Sequence, residues 1–271
     1  MTLRLQIRQA AGEIPYRLGA RRPRPNSLSV LMYHAVTRED LRDPEQQSVS
    51  ARAFSDQMEA VRELGVRWVS LEEGLRLLKE GGEGPPMASV VFDDGYVGVH
   101  DLALEVLVRH RIPSTLFLPT EQMGKPRFQT GSPQWGRPMT WAEVETLVRE
   151  AGCAVGSHSH SHRALSRLSS DEIRAELKAS RTAIEERLLT PCRLFAYPYG
   201  GGGSFDPRTR RILREEGFIA ACTALWGRCS AGTDPLAIPR MRFSWCDSPR
   251  EIRKSLAGSY DWYSFFQRFR L

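Results

Sequence analysis

Two adjacent carboxylates end an apolar stretch of the chain. Residues 91–96 read Val-Phe-Asp-Asp-Gly-Tyr, which places Asp93 and Asp94 directly after apolar side chains. Adjacent acids at the end of a buried strand repel each other and lose solvation, so a cation or a shifted pKa has to compensate them. In α/β proteins the carboxyl ends of strands are where ligands bind. The pair therefore indicates a site, with an ordinary Asp-Asp-Gly surface turn as the alternative interpretation.

Three of the six histidines lie within five residues of each other. His158, His160 and His162 follow a short strand-like run at 154–157. Neutral imidazole is the commonest metal ligand, and two imidazoles with one carboxylate leave positions open on a zinc-like ion for water and substrate. The spacing leaves open whether the first and third or the first and second histidine converge. Histidines that serve only for packing are the alternative.

Together these motifs resemble those of the NodB-homology polysaccharide deacetylase family, carbohydrate esterase family 4. The chain has that family's Phe-Asp-Asp-Gly motif at 92–95 and its His-[Ser/Thr]-x-x-His motif at 158–162. A later aromatic-proline-tyrosine-glycine motif stands at 195–200, and the matches run from about residue 28 to 243. The resemblance implies a metal-dependent hydrolase that removes acetyl groups from N-acetylated sugars of the N-acetylglucosamine type.

The resemblance also implies a role for each motif residue. Asp93 would be the general base, and His160 would be a bystander. A backbone N–H near Tyr199 would stabilise the oxyanion, and Tyr197 is predicted beside it on the substrate side. The expected cofactor is a divalent metal, zinc by default, with cobalt, nickel or iron as alternatives. Three residues would hold this metal: Asp94, His158 and His162.

The sequence departs from the family pattern in two places. Ala196 stands where the third motif usually carries an arginine, and no histidine follows His162 to act as the usual late general acid. The chain resembles, however, a circularly permuted branch that deacetylates poly-N-acetylglucosamine and has an early Tyr-His pair, here at 33–34. His34 is therefore the predicted acid, with a core histidine as the alternative. Arg240 is the candidate to orient the base, with an ordinary surface arginine as the alternative.

Strand-like and helix-like runs alternate between these motifs. This alternation predicts an α/β fold with mostly parallel strands, and the lack of long linkers favours one distorted (β/α) barrel, which the resemblance makes the NodB type. Six buried strands are predicted, at residues 29–33, 89–92, 114–118, 154–157, 193–196 and 218–223. Five helices are predicted from an apolar stripe or from their caps, near Phe54, Thr140, Ser169, Asp206 and Ser248.

Composition restricts the partners. The 271 residues carry a net charge of +6, which comes mostly from arginine. Such a charge favours anionic partners, but the sequence has no zinc-finger spacing, basic heptad helix or aromatic ribonucleoprotein motif, so nucleic acid is not predicted. The expected partner is an N-acetylated carbohydrate. Four tryptophans could stack on sugar rings, although in a chain of this size they are more often core: Trp135, Trp141, Trp226 and Trp245.

Cysteine usage and hydropathy give an expected location. The five cysteines are odd in number and lack Cys-x-x-Cys spacing, so buried free thiols are expected rather than disulfides or a zinc site. No apolar run reaches the roughly 18 residues that a membrane span needs, and the first residues lack an uninterrupted signal-peptide core. The prediction is a cytoplasmic protein.

Three segments are expected along the chain: a basic segment at 1–27, a catalytic domain at 28–258 and an aromatic, basic tail at 259–271. Arginine interleaves with apolar residues in the first segment, and the tail combines aromatic residues with arginine. Either end could lie on the inner face of an anionic membrane, or could pack on the domain.

Because of Ala196 and the missing late histidine, a catalytically impaired carbohydrate-binding protein on the same fold is the competing functional interpretation.

Overall fold

The computed structural model of the chain describes residues 11–13, 15–16, 22–129 and 131–268. Strands and helices alternate through this part of the chain. The strands are β1 (Leu28–Tyr33), β2 (Ala35–Thr37), β3 (Ser48–Ser50), β4 (Arg67–Trp68), β5 (Met87–Asp93), β6 (Ser114–Leu118), β7 (Ala154–Ser157), β8 (Leu194–Ala196), β9 (Ala220–Trp226) and β10 (Ile238–Arg242). The α-helices are α1 (Ala51–Glu63), α2 (Leu71–Glu80), α3 (Leu104–His110), α4 (Trp141–Ala151), α5 (Ser170–Leu188), α6 (Pro207–Glu215), α7 (Pro249–Leu256) and α8 (Asp261–Arg268).

Seven of the strands close into a barrel. The order around the ring is β1-β10-β9-β8-β7-β6-β5, and β5 pairs back onto β1. All of these pairings are parallel. Strand β4 pairs with the start of β5, and β2 and β3 form a separate parallel pair. The predicted distorted (β/α) barrel with parallel strands is confirmed.

The six predicted strands are all present, because their short apolar runs are buried on both faces, as parallel strands between helices must be. Every residue of β1, β5 and β6 is buried. The sequence analysis missed β10, whose Ile-Pro-Arg-Met-Arg sequence contains two arginines and a proline and so does not look like a buried strand. It also missed β2, β3 and β4, which have only two or three residues each.

The helices begin at the predicted caps. The side chains of Thr140, Ser169, Asp206 and Ser248 each accept a hydrogen bond from the backbone N–H three residues later, which satisfies a donor that the first turn leaves unpaired. Thr140 and Ser169 form complete capping boxes. Helix α1 begins three residues earlier than expected, because Ser50 caps it. Helices α2 and α3 were not predicted.

The cysteines are free thiols, as predicted. Four of them are buried and Cys246 is half-buried. Burial raises the pKa of Cys153 to about 11 and that of Cys192 to about 12. Because a thiol reacts as its thiolate, these side chains are unreactive packing groups.

The described parts of both chain ends contact the barrel. Glu13 pairs with Arg250 at 2.5 Å and with the buried Lys254 at 3.2 Å. At the other end the buried Tyr260 packs edge-on against Trp226, with ring centroids 5.9 Å apart. Most of the predicted basic N-terminal segment, and residues 269–271 of the tail, lie outside the described residues. Within the described ranges, no helix is long and apolar enough to cross a membrane.

Candidate active site

The predicted site residues meet at the carboxyl end of the barrel, where the loops after parallel strands converge. Strand β5 ends in the two acids, β1 leads directly into the predicted acid, and β7 leads into the histidine cluster. A cleft of about 1200 Å³ opens over this end of the barrel. All eight predicted site residues line it: His34, Asp93, Asp94, His158, His162, Tyr197, Tyr199 and Arg240.

Asp94 faces two imidazoles. Its Oδ1 lies 3.5 Å from Nε2 of His158 and 3.3 Å from Nε2 of His162. His160 turns away, and its Nδ1 lies 2.9 Å from the Thr120 hydroxyl oxygen. Of the two arrangements that the spacing left open, the first and third histidines are therefore the pair that converges.

The donor atoms of this trio suit a divalent cation. One oxygen of Asp94 and one nitrogen each of His158 and His162 lie within 4.8 Å of one another. Nδ1 of His158 lies 2.7 Å from the Ala196 carbonyl oxygen, which can only accept, so Nδ1 carries the hydrogen and Nε2 presents its lone pair to the trio. Two imidazole nitrogens and one carboxylate oxygen are a donor set typical of zinc sites that leave room for water.

The surroundings shift the pKa values of the two imidazoles in opposite directions. Burial lowers the pKa of His158 to about 4, so this ring is neutral at neutral pH and its nitrogen is available as a ligand. Burial also lowers the pKa of His162, but the hydrogen bond and charge of Asp94 outweigh it, and the pKa rises above its usual range. Burial raises the pKa of Asp94, yet the contact with His162 and the neighbouring His34 and His158 hold it well below the ordinary value.

Asp93 has a different partner, the buried Arg240. Nη1 of Arg240 donates to Oδ1 at 2.7 Å and Nη2 donates to Oδ2 at 2.8 Å. Nε of Arg240 donates to the Thr223 carbonyl oxygen at 2.6 Å, which fixes the guanidinium plane. Burial raises the pKa of Asp93, but the charges of Arg240, His158 and His34 outweigh it and lower the pKa. Asp93 is therefore an ionised carboxylate held in one orientation.

His34 lies beside this pair. Its Nε2 is 3.9 Å from Oδ2 of Asp93, and within the described part of the chain its buried Nδ1 has no hydrogen-bond partner. Burial lowers the pKa of His34 more than the nearby carboxylates raise it. The resting imidazole is therefore neutral at neutral pH and has to gain a proton before it can donate one.

The two tyrosines of the third motif differ in exposure. The Tyr197 hydroxyl donates to the Leu236 carbonyl oxygen at 2.8 Å, and its buried ring stacks on Phe205 at 4.3 Å. Tyr199 is 61% exposed and its ring lies 5.0 Å from that of His162. Among the described residues, the Tyr199 backbone N–H donates to no protein acceptor. Tyr197 therefore supports the wall of the cleft, and Tyr199 presents groups to its interior.

Backbone strain is concentrated around these side chains. Asp94, Ser159, His162 and Tyr199 have φ between 61° and 69°, the left-handed region that side chains other than glycine rarely adopt. Each such residue costs on the order of 1–3 kcal/mol, which the surrounding structure has to hold in place. The strain turns the Asp94 and His162 side chains toward the same point.

The polysaccharide deacetylase family model matches residues 80–221, more than half of the chain. The chain belongs to the polysaccharide deacetylase family. The match contains Asp93, Asp94 and the histidine cluster, but it includes neither His34 nor Arg240. Family members are deacetylating hydrolases, and the deacetylase described here is an enzyme of that class.

Individual relatives agree with this assignment. The deacetylase is similar to YxkH of Bacillus subtilis (strain 168), provisionally described as a polysaccharide deacetylase, with 22% identity over 223 residues, 82% of this chain and 73% of that one. The fold of the present chain matches Streptococcus pyogenes deacetylase PplD, solved with acetate, at a TM-score of 0.72 and 21% identity. The match covers 86% of this chain and 99% of that one. The fold also matches IcaB from Ammonifex degensii at a TM-score of 0.72 and 25% identity, covering 86% of this chain and 97% of that one.

The sequence analysis missed Glu176, which shapes the histidine cluster. This nearly buried carboxylate of α5 accepts hydrogen bonds from the backbone N–H groups of His160 and Ser161, at 2.9 and 2.8 Å. It also accepts from the Ser161 hydroxyl at 2.6 Å. Glu176 shares the buried face of α5 with Ile173 and Leu177. A carboxylate on the apolar stripe of a helix is a signal that could have identified it.

The tryptophans contribute less to the cleft of the deacetylase than the sequence suggested. Trp135 lines the cleft but is only 5% exposed, and it packs against Tyr96 with ring centroids 6.0 Å apart. Trp141, Trp226 and Trp245 are not among the described residues that line the cleft. Trp226 belongs to the core and Trp141 packs against it, while Trp245 is half-buried and donates from Nε1 to the Asp43 carbonyl oxygen at 3.1 Å.

Proposed function

We propose that this deacetylase is a metal-dependent hydrolase that removes the acetyl group from N-acetylated sugars, of the N-acetylglucosamine type, in a polysaccharide or a lipid-linked glycan. The observation that carries the proposal is the division between two neighbouring carboxylates. Asp93 is fixed by Arg240, while Asp94 faces His158 and His162. One acid is suited to handle a proton and the other to hold a cation.

Asp94, His158 and His162 are the proposed ligands of a divalent cation, with zinc as the default and cobalt, nickel or iron as alternatives. A cation held there supplies Lewis acidity toward the acetyl carbonyl and a lower pKa for a neighbouring water. The neutral Nε2 of His158 is ready to bind, because the Ala196 carbonyl holds the hydrogen on Nδ1. His162 would have to present a neutral nitrogen to a cation, against the contact with Asp94 that raises its pKa.

Asp93 is the proposed general base. An amide is a poor electrophile, so the attacking water has to lose its proton as it attacks. Because Arg240 contacts both carboxylate oxygens, Asp93 stays ionised and its orientation does not vary. This contact supports the orienting role proposed for Arg240, in place of the arginine that Ala196 replaces in the third motif.

His34 is the proposed general acid. The departing sugar amine needs a proton, since an amide anion is too basic to leave. Nε2 of His34 lies 3.9 Å from Oδ2 of Asp93, so the proton that Asp93 accepts is released next to the imidazole that needs it. This proximity offsets the low pKa that burial gives His34.

The Tyr199 backbone N–H is the proposed oxyanion donor, because it has no acceptor within the described residues and Tyr199 lines the cleft. One such preorganised donor contributes about 3 kcal/mol to transition-state stabilisation. The Tyr197 hydroxyl does not support the oxyanion role expected from the motif, because it donates to the Leu236 carbonyl oxygen.

Metal analysis coupled to an acetate-release assay tests the proposal. The panel contains chitooligosaccharides, lipid-linked N-acetylated sugars and O-acetylated glycans. We expect one divalent ion per chain, acetate from the N-acetylated substrates, and loss of activity on chelation that zinc restores. Undiminished acetate release from chelated, metal-free protein would contradict the metal assignment. Sugar binding without acetate release at any metal loading would favour the impaired carbohydrate-binding protein.

A further inference from the structure

The charged residues that line the cleft are separated by sign. We define the acidic half as the lining residues of β1, β5, β6 and the segments that follow them, and the arginine half as those of β7 to β10 and their following segments. Among the described residues, the acidic half has no arginine or lysine, and its acids are Glu45, Asp93 and Asp94. The arginine half has no acid, and its arginines are Arg163, Arg167, Arg240 and Arg242.

Not all of the arginines in the arginine half are neutralised by a carboxylate of the described chain. Arg240 is neutralised by Asp93. Arg163 pairs with Glu172 at 3.2 Å, but both side chains are about half exposed, and such a pair is worth little and exchanges easily. The exposed side chain of Arg167 makes no hydrogen bond or ion pair with any described residue. The positive charge of Arg167 thus lies on one side of the cleft without a counterion from the described chain.

The arginine half also contains three consecutive glycines, which have no side chains to obstruct an approaching ligand. Gly201, Gly202 and Gly203 line the same half, in the segment between β8 and α6. A ligand group on this side therefore meets guanidinium groups and exposed peptide groups. Guanidinium forks match the oxygens of phosphoryl groups, which accept paired, charge-assisted hydrogen bonds. In the other half, Asp93 is paired with Arg240 and Asp94 is a proposed metal ligand, so the groups that would bind a phosphoryl oxygen and the proposed reaction centre occupy different parts of the cleft.

We infer that the sugar substrate carries a phosphoryl group, bound by Arg167 and Arg163 beside Gly201–Gly203, while its acetamido group lies over Asp93 and Asp94. The inference rests on the proposed deacetylase function and specifies its substrate class. A phosphate monoester on a soluble sugar and a pyrophosphate linking a sugar to a lipid both provide this chemistry. The cleft, at about 1200 Å³, is larger than one sugar ring needs.

Binding calorimetry and acetate release on the metal-loaded enzyme test the inference separately. The ligands are methyl N-acetylglucosaminide, N-acetylglucosamine 1-phosphate, a short-prenyl pyrophosphate-linked N-acetylglucosamine and an N-acetylated sugar bearing a carboxylate. We expect the phosphorylated sugars to bind at least about tenfold more tightly than the neutral one, since charge-assisted hydrogen bonds contribute that much. Arg167→Gln should reduce this preference about tenfold. The matched control is Arg187→Gln, an exposed arginine of α5 outside the cleft, which should preserve the preference.

Each outcome decides between the alternatives. Equal binding of neutral and phosphorylated sugars, or an equal loss in Arg167→Gln and Arg187→Gln, would overturn the inference. An equal preference for an N-acetylated sugar bearing a carboxylate would overturn the phosphoryl assignment. A binding preference without acetate release from any sugar would contradict the proposed deacetylation and leave the anion site supported. Tighter binding of the prenyl compound than of the monoester would identify the lipid-linked source.

Discussion

Asp93 and Asp94 are chemically identical and adjacent, yet their surroundings differ completely. Asp93 ends strand β5 and is held at both oxygens by a guanidinium that cannot lose its charge. Asp94 lies in a left-handed turn and faces two imidazoles, whose nitrogens can ligate a cation when they are neutral. The difference teaches that function is assigned by what each carboxylate contacts, because the residue type and local sequence are the same.

Exchanging each carboxylate for an amide separates the two roles most strongly. We expect Asp93→Asn to lower kcat about 10⁴-fold, because the general base is lost, while the protein still binds one metal ion. Asp94→Asn should instead lose the metal, because it removes a ligand. Acetate release and metal content of both variants check this, with melting curves to confirm that each is folded. Retained activity in Asp93→Asn, or full metal content in Asp94→Asn, would reverse the assignment.

Removing Arg240 tests how much the stability of the protein depends on the permanent charge that pairs with Asp93. Arg240→Gln leaves a buried carboxylate unpaired, so we expect the free energy of unfolding to fall by about 3–5 kcal/mol. The double variant Asp93→Asn/Arg240→Gln should recover part of this loss, because neither charge remains. Denaturant unfolding measures the original protein, both single variants and the double variant, with the exposed Arg187→Gln as a control expected within about 0.5 kcal/mol of the original. A double variant whose loss equals the sum of the single losses would show that the pair does not interact.

His34 is the proposed carrier of a proton from Asp93 to the departing amine. Its loss should reduce activity less than the loss of Asp93. We expect His34→Gln to slow acetate release about 10²-fold without changing the metal content. The unmodified enzyme should have a bell-shaped pH profile. Burial places the His34 pKa below 6.5, and the resting imidazole must be neutral to receive a proton from Asp93, so activity at saturating metal should fall as pH drops through that pKa and the acid limb should lie below pH 6.5. This limb should be missing in His34→Gln; its persistence there would exclude His34 as the acid.

The Asp94 region should show its own pH dependence, in metal affinity. The pKa of His162 is raised above 6.5, and that of His158 is lowered to about 4. Between these values only His162 carries a proton that competes with the metal. As pH falls from 6.5 toward 4, affinity should therefore decrease about tenfold per unit, as one-proton competition requires. Metal titrations across this range check the slope, and a hundredfold change per unit would show that both imidazoles are protonated.

The fold could be predicted to the extent that its strands are apolar and its helices capped locally. Strand β10 could not, because Arg240 looks like a surface residue until its partner is known. That partner, Asp93, is 147 residues away in sequence, and its strand β5 comes near β10 only because both strands pair with β1 when the barrel closes. The candidate metal ligands were easier to predict, since their histidines are neighbours in sequence. The choice of His162 over His160 depends on contacts with Glu176 and Thr120, which hold the loop.

The ring closure of the barrel has a consequence for biosynthesis. His34 follows the first barrel strand and Arg240 belongs to the last, and the two strands become neighbours only when β1 pairs with β10. A nascent chain that has emerged as far as β9 has every proposed metal ligand, the proposed base Asp93 and the proposed acid His34. In that chain Asp93 still lacks its guanidinium partner. The complete constellation of acid, base and orienting arginine therefore arises only after release of nearly the full polypeptide, and incomplete translation products lack it.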